Sequence, residues 1–190
     1  EKHYGEGNGE GKRILNPVTE VTLKTNSYMK METIQIKGVD STIRVTKGII
    51  EENASFVVTE KIMTHGSQYA KTVFEVELNG ENASAKVTSR SVATEDSKQE
   101  FCSKVTGNEK CFGHVECDAI IKDTAKVVAV PEIVANNVDV ELYSKWAGRY
   151  VKNAYDSQAT DETPTLDVDI CVELKAQNKA FKIEKHTHSY

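Results

Sequence analysis

The chain has 190 residues, with 24 Lys and Arg against 29 Asp and Glu and a formal charge of -5, which suits one domain with at most a small appendage. No block of clustered cations is present, which argues against nucleic acid or an anionic membrane surface as partner. The longest apolar run, residues 127–130, is far below the roughly 20 residues that a membrane-crossing helix needs, and four cysteines at 102, 111, 117 and 171 are too sparse for a disulfide framework and point to a reducing compartment, the cytoplasm.

Val, Ile and Thr contribute 21, 12 and 17 residues against 6 Leu. Such β-branched side chains lose χ1 freedom in a helix and pack well on a pleated surface, so strands dominate the expectation. The opening residues 1–5 hold neither an initiator Met nor an apolar h-region, and the sequence reads as one that begins part-way through a longer chain. Gly5, Gly7, Gly9 and Gly11 invite comparison with a phosphate loop. Both templates fail: Glu10 stands at the sixth position of a dinucleotide fingerprint, and Glu6 and Arg13 stand where a P-loop needs Gly and Ser or Thr. A flexible turn is predicted there.

Apolar alternation sets in at Val21 and Leu23, continues at Ile34 and Ile36 and at Ile43 and Val45, and is clearest at Phe74, Val76 and Leu78, where Glu75 and Glu77 occupy the opposite, wet face. Turn residues at 38–40, 79–80 and 107–108 punctuate these segments. Short strands with scarcely a helix between them suit a sandwich, a barrel or a β-solenoid. An internal echo favours the last. Residues 52–59 and 81–88 agree at six of eight positions, and Asn at a corner followed by a small residue and an alternating strand is the local chemistry of coils that stack. Looser copies follow at 123–127 and 137–140. Asn53-Ala54-Ser55 and Asn82-Ala83-Ser84 also fit the N-glycosylation pattern, but they are the corner repeat itself.

Cys111, His114 and Cys117 bring two thiols and an imidazole into seven residues, the ligand types that zinc and iron–sulfur sites recruit. An extended backbone spreads the two thiols about 20 Å apart and turns His114 to the opposite face, so a straight strand cannot chelate one metal with all three. Further along, Tyr143, Trp146, Ala147, Tyr150, Val151 and Ala154 recur at helical spacing, which predicts a short helix with an aromatic inner face and a basic outer face at Lys145, Arg149 and Lys152. A polar break at 156–164 precedes a last alternating strand over 166–174. The terminal His186 and His188 and the pair Asp167 and Asp169 are weak metal signals, and no Ser-His-Asp order or paired-carboxylate spacing supports enzyme chemistry.

Residues 107–121 and 129–133, together with 2–11 and 31–42, resemble the SufB/SufD family of iron–sulfur cluster assembly proteins over roughly residues 1–142. The resemblance implies a right-handed parallel β-helix core over 1–142 followed by a C-terminal helical segment, and the residue pattern reads 143–190 as a helix and a strand-containing tail that departs from the family. The resemblance further implies a scaffold that carries a transient iron–sulfur cluster, pairs with a SufB/SufD-type paralogue or with itself, and works with SufC, an ABC-type ATPase that hydrolyses the nucleotide. Cys111, His114 and Cys117 are then the candidate cluster ligands, and Tyr143, Trp146 and Tyr150 the candidate docking residues. Ser144 stands at the family histidine position, and Ser is a poor iron ligand. Two rivals remain at this stage: a β-solenoid enzyme acting on polysaccharide through Glu75 and Glu77, and a purely structural interaction module.

Overall fold

The computed structural model describes residues 10–36, 39–137, 139–151, 165–168, 171–174 and 181–189. Among them are fourteen strands: β1 (Ile14–Leu15), β2 (Val18–Leu23), β3 (Tyr28–Gln35), β4 (Ser41–Ile50), β5 (Ser55–Thr64), β6 (Tyr69–Leu78), β7 (Ser84–Ala93), β8 (Lys98–Gly107), β9 (Phe112–Lys122), β10 (Lys126–Ala135), β11 (Glu141–Val151), β12 (Thr165–Val168), β13 (Cys171–Leu174) and β14 (Phe181–Ser189). In one sheet β4, β6, β8 and β10 lie side by side, with β1 and β2 on β4 and β12 and β13 on β10; β3, β5, β7, β9, β11 and β14 make the other. Consecutive long strands alternate between the sheets, and every pairing is parallel. The chain is therefore a parallel β-solenoid in which each coil lies on the one before.

Tyr28 pairs with Ser55, Ser55 with Ser84 and Ser84 with Phe112, so these coils consume 27 to 29 residues and the sequence echo is one coil long, whereas Leu142 pairs with Phe181 after 39. Two corners close each coil. At the first, Asn26, Asn53 and Asn82 take φ of 62°, 53° and 57°, the left-handed conformation that Asn tolerates. Asn82 Nδ2 donates to Asn53 Oδ1 at 3.1 Å, and a second amide ladder runs from Asn136 to Asn108 to Asn79. Asp123, read from sequence as a copy of this corner, belongs to the opposite one with Gly66 and Glu95, all three at φ near 60°.

The interior is built of columns in which one residue per coil stacks on its counterpart. Phe56, Ala85, Gly113 and Leu142 form such a column, and a Cβ on Gly113 would come within 2.5 Å of Leu142 Cδ2. The small residues of this column make room for the large ones above and below, whereas Leu23, Ile50 and Leu78 stack directly in another. Phe74 and Phe101 pack at 5.7 Å between ring centroids, and Val21, Leu23, Phe74, Val76 and Leu78 are buried as their alternation requires.

Two expectations fail. Ile36 and Ile43 are 50% and 38% exposed, while Thr33, Thr42, Arg44 and Thr46 point inward. The register decides this: Thr42, Arg44 and Thr46 pair with Ala70, Thr72 and Phe74, whose side chains are buried, and a one-residue slip would turn Phe74 and its row out to solvent. The predicted C-terminal helix is also absent over 143–151. These residues form β11, paired one for one with β9 and β14, because the open edge of β9 offers a complete row of backbone donors and acceptors. Strand parity breaks the aromatic stripe. Tyr143 pairs with outward-facing His114, whereas Trp146 and Tyr150 pair with inward-facing Cys117 and Ile121. Ala154, Lys152 and the polar break at 156–164 lie outside the described residues.

Gly80 marks the tightest approach between coils, since an added Cβ would lie 2.1 Å from the Glu52 nitrogen. Backbone cannot yield as a side-chain tip can. Gly80→Ala is expected to cost about 2 kcal/mol or more of unfolding free energy, measured as a lowered urea midpoint at unchanged slope.

Candidate functional site: a polar chamber inside the coil

The lumen divides lengthwise. Its side next to the Asn corner is apolar, and its side next to the corner of Gly66, Glu95 and Asp123 holds Thr42, Arg44, Glu60, Thr64, Thr72, Ser89, Ser91, Ser97 and Gln99, every one buried. Thr33, Glu60, Ser89 and Cys117 form one column of this chamber, and Arg44 and Thr72 belong to the facing sheet. An apolar cluster of Ala93, Ala119, Ile121, Ala125 and Val127 adjoins it in the later coils.

Glu60 is the hub. Arg44 Nη1 donates to its Oε1 at 3.3 Å, Thr72 Oγ1 donates to the same oxygen at 2.9 Å, and Ser89 Oγ donates to Oε2 at 3.2 Å. Arg44 Nη2 reaches Gln35 Oε1 at 3.3 Å. Burial pushes Glu60 above the usual carboxylate range although Arg44, Thr72 and Ser89 all favour its charged form. Beside this hub, Gln99 Nε2 donates to Thr64 Oγ1 at 2.8 Å and to the Val92 carbonyl at 2.9 Å, and Thr64 donates to Ser97 at 3.0 Å. An ion pair so deep depends on its partners, because losing one strands the other charge in a low-dielectric interior.

Cys117 adjoins Ser89, and burial, with Glu60 and Asp118 adding to it, pushes its thiol up to about 12. Burial likewise lifts Cys111 to about 11. Both are held as thiols, whereas metal ligation and nucleophilic attack require the thiolate. His114 lies on the outer face, with Nε2 3.4 Å from Glu116 Oε2 and its ring 6.4 Å from that of Tyr143. Arg90 Nη2 holds Glu116 at 2.7 Å. Within one chain, therefore, the fold separates Cys111, His114 and Cys117, and no group of three His, Cys, Asp or Glu side chains is placed to hold a metal among the described residues.

Of the docking residues, Tyr143 packs its ring 5.7 Å from Phe112, and Trp146 and Tyr150 are placed by register alone. Glu75 and Glu77 border an outer groove of about 490 Å3 together with Glu20, Lys47 and Lys104. Glu75 is engaged by Lys47 at 3.5 Å, and no aromatic residue lines the groove. Arg44, Glu60, Thr72 and Ser89 escaped the sequence reading. Their signal was a Thr42, Arg44, Thr46 alternation interleaved with Ile43 and Val45, which assigned the opposite face to the core.

The signature of the SUF system FeS cluster assembly SufBD core domain matches residues 1–142. The chain belongs to the SufBD core-domain family. A SufBD family iron–sulfur cluster assembly protein of Methanocaldococcus jannaschii is 26% identical over 130 residues, which cover 67% of this chain and 41% of that protein. A different likeness links 60 residues, 32% of the chain, at 55% identity to an isoleucine–tRNA ligase of Porphyromonas gingivalis, and 59 residues at 51% identity to one of Bacteroides fragilis. Each covers 5% of the ligase, too little to carry an inference about aminoacylation. The SufBD chain thus spans less than half the length of these relatives. No solved structure matches it. No helix among the described residues is long and apolar enough to cross a membrane.

Two outcomes test the chamber of this SufBD protein. Arg44→Met is expected to cost about 3–5 kcal/mol near neutrality. Without the guanidinium, the folded pKa of Glu60 rises further above its unfolded value, so the folded state binds the extra proton. The loss is then largest at about pH 8 and recovers towards about pH 5, and adding Glu60→Leu restores most of it by removing the stranded charge. Urea unfolding at both pH values measures this. Peptide-resolved alkylation at about pH 8 is expected to leave Cys111 and Cys117 unmodified in the native protein and to modify both once denaturant is present.

Proposed function

We propose that this SufBD chain is a non-catalytic, cytoplasmic scaffold component of iron–sulfur cluster assembly, paired with a SufB/SufD-type paralogue or a second copy and served by an ABC-type ATPase. The observation that carries the reading is the SufBD core signature over residues 1–142. In support, residues 12–13, at the end of the Gly-rich opening, lack the Lys-Ser or Lys-Thr of a P-loop, in keeping with nucleotide hydrolysis by a partner. The nascent cluster is cargo, and three arrangements of this chain bear on where it would sit. Cys117 is inside the coil, Cys111 is buried at a corner, and His114 faces outward. A cluster that used any of them would need its remaining ligands from elsewhere, a partner chain included, since the coil holds the three apart and no three ligating side chains lie together among the described residues.

Such a division of ligands fits a scaffold that completes its site on pairing. Cys111 and Cys117 would also have to lose their protons, and approach of iron favours this by stabilising the thiolate.

Anaerobic reconstitution with iron and sulfide tests the proposal. The chain co-expressed with its paralogue and ATPase is expected to copurify with them and to develop thiolate-to-iron charge-transfer absorbance. Replacing Cys111, His114 and Cys117 together by Ser or Ala is expected to lower that absorbance at least about twofold while urea unfolding remains cooperative. Equal spectra would remove these residues as ligands, and failure to copurify with either protein would remove the scaffold reading.

A further inference from the structure

Ser91 sits on the inward face of β7 and is 5% exposed, and its Oγ has no hydrogen-bond partner in the protein. It borders a cavity of about 10 Å3 whose other walls include Ser89, Gln99, Phe101, Ile62 and Cys117. One water molecule needs roughly 10–15 Å3 of such space and two to four polar partners. The lining supplies the Ser91 and Ser89 hydroxyls and the Gln99 amide, while Phe101 and Ile62 exclude anything longer. Charge complements the size: Glu60 is already balanced by Arg44 at 3.3 Å, so an ion entering the chamber would meet no unpaired counter-charge.

A second orphan pair repeats the pattern. Arg44 Nε and Thr46 Oγ1 have no hydrogen-bond partner in the protein, and both residues, 3% and 0% exposed, point inward from β4 two positions apart. We propose that the polar chamber is a water-binding site, holding one molecule against Ser91, and that this water is part of the fold. A buried hydroxyl without a partner is costly, and a bound water removes that cost.

The test reads both the water and its effect. Water oxygen-17 relaxation dispersion on the wild-type chain is expected to detect long-lived internal water, and Ser91→Val, whose methyls fill the cavity, is expected to lose about one such molecule. Ser91→Ala discriminates by the sign of its effect. With water bound, deleting the hydroxyl removes a hydrogen bond and lowers the folding equilibrium constant several-fold. With no water, the same change deletes an unsatisfied group and raises it several-fold. Absence of long-lived water in the wild type, dispersion unchanged by Ser91→Val, or stabilisation by Ser91→Ala would each overturn the proposal. Ser91→Ala, the milder change, supplies its readout even if Ser91→Val fails to fold.

Discussion

Each coil rests on the previous one through backbone hydrogen bonds that join residues 27 to 29 apart, or 39 apart at the last described strands, so a side chain's surroundings are set by its column and not by its sequence neighbours. Parallel in-register pairing leaves no freedom to slip, because a shift of one residue would reverse every inward and outward face at once. The corners enforce the same spacing. Asn26, Asn53 and Asn82 turn the backbone through the left-handed region at successive levels, and Gly80 admits the neighbouring coil where any side chain would collide with it.

Column packing explains how a narrow rod acquires a polar interior. Buried polar groups are tolerated where hydrogen-bond partners satisfy them. Glu60 meets this condition with donors from three other strands, Arg44 on β4, Thr72 on β6 and Ser89 on β7. The network thus ties consecutive coils and both sheets together. In the later coils the same side of the lumen turns apolar at Ala119, Ile121, Ala125 and Val127, which confines the chamber to the earlier part of the rod.

The outer surface obeys a different rule. Residues that face water on neighbouring strands are paired by sign, as at Lys47 and Glu75, Lys61 and Glu32, Lys104 and Glu132, and Arg90 and Glu116. Exposed pairs of this kind add little stability. They do keep two parallel sheet faces soluble without covering helices, which is the usual way such faces are buried. The two sheet faces thus carry paired charges of both signs.

The sequence by itself determined that this chain is a stack of β coils: its β-branched content, the Asn-corner echo and the SufBD resemblance all act locally and survive without knowledge of any contact. It also placed Phe74, Val76 and Leu78 inside and His114 opposite the cysteines, since strand alternation follows from the backbone alone. Tertiary structure decided the rest. Ile43 and Val45 outrank Arg44 in hydrophobicity, yet Arg44 lies inside because its column and Glu60 accept it. Tyr143, Trp146 and Tyr150 carry helical spacing, yet β9 presents an unpaired edge that captures them as a strand. In both places a long-range partner outweighed the local preference, and a partner one coil away cannot be seen in a window of neighbouring residues.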